Sequence, residues 1–470
     1  MTDLTALSAT TLSARIAARE LSALEVMESF LARIRAVNGK VNAIVSMRPE
    51  ADLLAEARAA DQAPRRGWLH GLPMAVKDLA AVKGIRSTSG SPIFADVVPK
   101  QDDVLAASLR AAGAILIGKT NTPEFGLGSH TFNPIFGATK NPYDLTRSAG
   151  GSSGGAAAAL AAHMLPVADG SDMMGSLRNP AAFCNVYGFR PSYGLVPSEP
   201  LGDTFLHQLS TNGPMARSVE DIARLLEVMA HPDPRLPHAR PAEPFAQDLD
   251  RDPKGARIGW LGDWGGAYPM EPGILALCEA ALAGFTELGA IVEPVAPPFP
   301  AEKIWEAWTT LRSFAIAGSV GPLYADPRTR ALLKPEMLWE VERGLALSAM
   351  EVHRASVIRS QYFARLAELF TRYDALALPS AQVWPFPIDW RFPETVAGRP
   401  MDSYHRWMEV VVPVSLVGLP ALALPAGFGA AGLPMGLQLF GPRGADRAIL
   451  RLGQAYHRAT DWPARQPPSF

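Results

Sequence analysis

Cysteine is nearly absent. Cys184 and Cys278 are the only two among 470 residues, and neither sits in a CxxC or Cys/His cluster, which argues against a disulfide framework and a zinc site. No metal or cofactor is expected, and a reducing compartment fits. An excess of either charge is missing as well: 44 Lys and Arg face 46 Asp and Glu, so no basic field gathers nucleic acid. The partner expected is a small molecule, with a homodimer left open. Met1–Leu12 lacks the charged start and apolar run of a secretory signal, and a cytoplasmic location is expected. Val410–Pro442 carries no charged residue and is long enough to span a bilayer. Pro413, Pro420, Pro425 and Pro434, with Gly418 and Gly427, break any helix through it. It reads as buried strands and turns rather than a membrane span.

What is there is a chain of 48% hydrophobic residues, long enough to bury a large core. Ser22-Ala-Leu-Glu25 is a capping box, and Val26, Phe30, Ile34 and Val37 then recur at helical spacing until Asn38-Gly39. Short apolar strands then alternate with helices: strand Pro73–Val76, helix Val104–Ala112, strand Ala114–Ile117, helix Gly155–Ala162, strand Leu165–Ala168. Six prolines between His231 and Pro253 mark a long surface connection or a domain boundary. The α/β pattern resumes beyond it, with strands Arg257–Leu261 and Ala290–Val295 around helix Gly273–Leu288. The reading preferred is one α/β domain with a mixed sheet between helical layers.

Two short motifs fail on context. Gly113–Thr120 fits GxxxxGK[ST], but a helix precedes its first glycine and its middle residues are themselves a strand. Gly150–Gly154 fits GxSxG, but Asn141–Ala149 before it is polar and reads as loop rather than strand. The stronger reading takes Ser148–Gly155 as a glycine-rich loop feeding an alanine helix. Its backbone can approach a ligand closely, and the helix N-terminus favours developing negative charge beside Ser152 and Ser153. Downstream, the strand Leu165–Ala168 empties into Gly170-Ser-Asp-Met-Met-Gly-Ser176, a place for a nucleophile with converging N–H groups; an ordinary linker of small residues is the plain alternative. Lys77 closes the apolar strand, where burial would lower its pKa and let it act as a base. Taken alone it reads as a solvated strand-end lysine. His130 and His163 are the other bases near in sequence, and His163 reads as a helix-end residue.

Gly71–Asp78, Gly118–Phe125, Asn141–Tyr143, Gly150–Gly155, Asp172–Pro191, Gly213–Arg217 and Gly418–Ala421, in that order, resemble the motifs of the amidase signature family over nearly the full length. The resemblance implies a single amidase domain over residues 1–470, with a signature core at about 65–220 and a variable substrate-pocket region at about 255–405. It implies a Ser-cisSer-Lys triad at Ser176, Ser152 and Lys77, with the cis bond at Gly151–Ser152. N–H groups of Met173, Met174, Gly175 and Ser176 would form the oxyanion hole, and Gly126, Leu127, Gly128 and Ser129 would lie near the substrate. Where the family has a glycine, this chain has Met174; a positive φ there would strain methionine, and its side chain is expected to narrow the acyl pocket. The activity implied is hydrolysis of a small, apolar carboxylic amide, or an ester, through an acyl-enzyme. Trp305, Trp308 and Phe314 are either pocket wall or core. The alternatives are the catalytic subunit of a tRNA-dependent amidotransferase and a non-catalytic binding protein of the same fold.

Overall fold

The computed structural model describes residues 3–470. Of the N-terminal stretch read above, Met1 and Thr2 lie outside the described residues. The capping box at Ser22 forms, Ser22 Oγ accepting from Glu25 N–H at 3.0 Å while Glu25 Oε2 accepts from Ser22 N–H at 2.8 Å. The helix it opens, Ala23–Val41, runs past Asn38-Gly39 and ends at Asn42, which is left-handed with φ 54°. Asn38 does not stop the helix because its side chain is used on the returning chain. Its Oδ1 accepts from Ala43 and Ile44 N–H, and its Nδ2 donates to Ile44 O.

The large sheet has eight strands, in the order Ile291–Pro294, Arg257–Trp260, Ala375–Pro379, Pro434–Phe440, Ala421–Phe428, Tyr187–Arg190, Thr211–Ala216 and Val167–Asp172. The first three run parallel and every later neighbour is antiparallel, so the sheet is mixed. Side chains alternate between its faces: Val167, Ala216, Leu422 and Leu424 join one apolar cluster, and Ala168, Met215 and Ala423 join another. Both faces are therefore covered. The Ala-rich helix Gly154–Ala161 belongs to the second cluster, and helices Val219–Met229 and Ile274–Glu287 contribute to the first. The protein is thus an α/β fold with a mixed sheet between helical layers, as its sequence pattern leads one to expect.

A smaller sheet of Ile44–Val45, Ile115–Thr120 and Pro73–Lys77 adjoins the large one. Between strands Pro73–Lys77 and Val167–Asp172 the link is a carboxylate: Lys77 N–H donates to Asp169 Oδ1 and Oδ2 at 3.1 and 3.2 Å. Gly113–Thr120 is indeed strand from Ile115 onward, so it holds no phosphate loop. Asn141–Ala149, expected as loop, instead contains a hairpin of Lys140–Asn141 with Asp144–Ser148. Asn141 Oδ1 accepting from Tyr143 N–H closes its turn, an Asx contact that polar composition conceals. The charge-free stretch from Val410 supplies the sheet's central hairpin, Ala421–Phe428 with Pro434–Phe440. No helix among the described residues is long and apolar enough to cross a membrane. The proline-rich segment lies on the helix Asp446–Thr460, where Arg447 and Arg451 donate to the carbonyls of Gln247 and Asp248.

Candidate active site

Lys77 ends its strand fully enclosed, with 2% of its surface exposed. Its Nζ lies 2.8 Å from Ser152 Oγ, 2.9 Å from Ser153 Oγ and 2.9 Å from Ser171 Oγ. Burial pushes its pKa down to about 7, against the opposing charges of Asp169 and Asp172. Sequence reasoning foresaw the burial but neither carboxylate. Asp78, the neighbour in sequence, faces away; it accepts from Thr88 N–H and Oγ–H. Strand alternation separates the two side chains. Asp169, pushed up to about 6 by burial and pulled back chiefly by Lys119, receives the Lys77 main-chain N–H.

Ser152 and Ser153 sit in the loop between the hairpin strand Asp144–Ser148 and helix Gly154–Ala161. The Gly151–Ser152 peptide is cis. Ser129 Oγ donates to Gly151 O at 2.5 Å, and Gly126 is so close that a Cβ there would stand 3.4 Å from Ser152 Oγ. Gly155 allows the helix to enter: a Cβ on it would meet Asn121 N at 2.3 Å and Ala43 O at 2.8 Å.

Ser176 lies in the turn between strand Val167–Asp172 and helix Arg178–Phe183. The turn is built on Asp172, whose Oδ1 accepts from Gly175 N–H at 2.9 Å and Oδ2 from Leu177 N–H at 3.2 Å. Arg178 and Arg190, both fully buried, grip the same carboxylate at 2.9–3.0 Å. Burial works against the Asp172 charge, yet the two guanidiniums hold its pKa well below the usual carboxylate range. Gly175 has φ 78°, and a Cβ would meet Asn179 Oδ1 at 2.5 Å, so only glycine fits there. Met174 is not among the residues with positive φ, so the strain considered from the sequence does not arise; its side chain is 2% exposed in the main core. Ser176 O accepts from Ser153 N–H at 3.2 Å, tying the two serine turns together. Ser176 is 7% exposed.

Lys77, Ser152 and Ser176 are therefore brought to one buried place, although no hydrogen bond joins Ser176 Oγ to Ser152 Oγ in this arrangement. Of the four expected oxyanion donors, Gly175 N–H is engaged by Asp172. The N–H groups of Met173, Met174 and Ser176 are unengaged among the described residues. Leu127, Gly128 and Ser129 line a narrow crevice beside the Ser152 loop, together with Lys334, which donates to Leu127 O at 2.6 Å. His130 is no spare base: burial pushes its pKa down to about 4, Nδ1 is paired with Ser148 Oγ and Nε2 with Ile388 O. Trp305 and Trp308 pack in the core and Phe314 lies against His207. Between them Arg312 was overlooked. It reaches Met173 Sδ at 3.2 Å while paired with Glu340 and Tyr404. Ser171 was overlooked too, and only the Gly170-Ser-Asp172 strand end could have signalled it. Among the described residues no group of three His, Cys, Asp or Glu side chains is placed to hold a metal ion.

Chemically, an ammonium would donate to all three serine hydroxyls, whereas the neutral amine has two N–H groups and one lone pair. Ser153 Oγ already has the Ser171 carbonyl as an outlet for its proton, at 3.4 Å. That leaves Ser152 or Ser171 to donate to the lysine lone pair.

The chain has full-length relatives among known proteins. The profile of the Amidase family matches residues 25–450. An acylamidase from Rhodococcus erythropolis is 35% identical over 473 residues, covering 98% of this chain and 97% of the relative. A glutamyl-tRNA(Gln) amidotransferase subunit from Chloroflexus aurantiacus is 34% identical over 495 residues, covering 99% of each. Among solved structures, a bacterial aryl acylamidase of the amidase signature enzymes superposes with a TM-score of 0.90 at 29% identity, covering 98% of this chain and 99% of that one.

Proposed function

The chain belongs to the amidase family of carbon–nitrogen hydrolases, and from that premise we propose that it cleaves a small, apolar carboxylic amide, and esters of like acyl groups, through an acyl-enzyme on Ser176. The observation that carries this is the enclosed Lys77 amine on Ser152 Oγ at 2.8 Å, with its pKa brought down to about 7. A neutral lysine takes the proton of Ser152, and Ser152 takes that of Ser176 after a turn of the Ser176 side chain closes the gap between the hydroxyls. Ser176 Oγ then attacks the amide carbonyl, and the unengaged N–H groups of Met173, Met174 and Ser176 face the developing oxyanion. Gly175 contributes the turn rather than a donor, since Asp172 already holds its N–H. The relay returns the proton to the leaving amine. Water repeats the sequence on the acyl-enzyme and releases the acid.

The substrate class is supported by the acylamidase and aryl acylamidase likenesses and by the apolar surroundings of Met173 and Met174. A fluorophosphonate followed by peptide mapping tests the nucleophile. Label on Ser176, lost in Ser176→Ala, is the expected result; label on Ser153 would move the chemistry to the other turn. The amidotransferase reading also has an observation behind it, the 34% identity to the Chloroflexus aurantiacus protein. The purified chain should release amine from simple amides with no partner added. Activity appearing only with partner subunits would favour the amidotransferase.

A further inference from the structure

An apolar hollow lies away from the serines. It measures about 790 Å³ and is walled by Trp384, Phe386, Trp390 and Phe428, with Arg147 and Glu271 as its charged members. This is the size range of small-molecule sites. It lies at the far end of the large sheet: strand Ala421–Phe428 starts beside Arg190, which grips Asp172, and ends at the turn Gly429–Leu433 that lines the hollow. It shares no residue with the triad or with Gly126–Ser129.

Its polar groups are specific. The partly exposed Arg147 guanidinium makes no hydrogen bond among the described residues; its Nε is buried, with the Asp144 carboxylate 3.7 Å away. Glu271 Oε2 accepts from Trp384 N–H at 2.7 Å, while its other oxygen has no partner among the described residues. The two side chains are near enough for the Arg147 charge to act on Glu271, whose pKa burial raises. The hollow thus offers one unmet donor and one unmet acceptor between aromatic walls. A carboxylate ligand would add a third negative charge to Asp144 and Glu271, and an ammonium would face Arg147. An amide meets both groups without a net charge.

We propose that this hollow is a second binding site, for an uncharged aromatic amide whose carbonyl accepts from the Arg147 guanidinium, whose N–H donates to Glu271 and whose ring lies among Trp384, Phe386, Trp390 and Phe428. Only the identity of this ligand with the substrate class rests on the proposed hydrolysis. The wall is also tied to the catalytic loop, since Ser148 N–H donates to Phe386 O at 2.8 Å.

Titration calorimetry of the full-length Ser176→Ala protein with phenylacetamide tests it. Two binding events are expected, and Ala276→Trp, which fills the hollow from an exposed position on helix Ile274–Glu287, should remove one of them. Arg147→Gln should weaken that same event about tenfold, the loss of one charge-assisted hydrogen bond, and phenylacetate should bind it at least about tenfold more weakly than the amide. A single event that Ala276→Trp abolishes upholds the second site and removes the serine site as the amide's place. Events untouched by both variants, or equal binding of phenylacetate, overturn the proposal, as does the absence of any binding at millimolar amide.

Discussion

Ser152 and Ser171 touch the same lysine nitrogen at nearly the same distance, yet they are expected to matter differently. In the proposed relay Ser152 is the bridge toward Ser176, so Ser152→Ala should lower kcat by roughly 10²–10⁴. With Ser152 on the lysine lone pair, as in the proposed relay, Ser171 accepts from Lys77 Nζ, and such a hydrogen bond favours the charged form. Ser171→Ala should therefore retain most of kcat while moving the acid limb of the rate profile to lower pH, by on the order of half a unit or more. An unmoved limb would show that the hydroxyl is mere packing. The contrast marks what single residues reveal in a sequence. Lys77, Ser152 and Ser176 stand in glycine-rich or strand-end contexts that carry a signal, whereas Ser171, Asp169 and Arg312 act through contacts between residues far apart in the chain. Met174 belongs with the second group: the residue type was visible, but that its φ is not positive and its side chain lies in the core was not.

The element that carries the proposed nucleophile is the turn between strand Val167–Asp172 and helix Arg178–Phe183, and its foundation is the Asp172 carboxylate. Asp172→Asn would leave Arg178 and Arg190 buried with their shared counter-charge gone, at a cost of about 3–5 kcal/mol. Urea unfolding should show this loss, and labelling of Ser176 should fall even where the variant remains folded. A variant of near-native stability and reactivity would mean that the turn holds itself. Gly175→Ala should be as damaging to the turn, because its Cβ would stand 2.5 Å from Asn179 Oδ1 at a φ of 78°. Elements with strong periodicity, such as helix Ala23–Val41 and the Pro73–Lys77 strand, were legible from sequence to within a few residues. The Lys140–Ser148 hairpin was not, because its pairing depends on the Asn141 turn and on Ser148 N–H reaching Phe386 O, neither of which leaves a hydrophobic period.

Across the whole molecule, the enclosure that fits Lys77 to the proposed role of base should also tax its stability. In the folded protein its pKa is about 7, and in the unfolded chain about 10.4. Between those values the unfolded chain holds a proton that the folded one lacks, so this group's contribution favours unfolding increasingly as pH falls from about 10 toward 7. Lys77→Met should thus gain stability relative to wild type by about 1.4 kcal/mol for each unit of pH lowered in that window. Equal pH dependence of the two urea midpoints would place Lys77 in water. The same burial, created by packing two sheets and the Gly154–Ala161 helix around one amine, is what strand pattern alone could only suggest. The most direct test of the mechanism is the pH dependence of kcat/KM for a soluble aryl amide, measured on wild type and on Lys77→Ala. Wild type should rise through one ionisation near pH 7 to an alkaline plateau, set by Lys77 losing its proton, and Lys77→Ala should lose that ionisation together with all but about a thousandth of the rate. The same limb and comparable rates in both proteins would contradict the account.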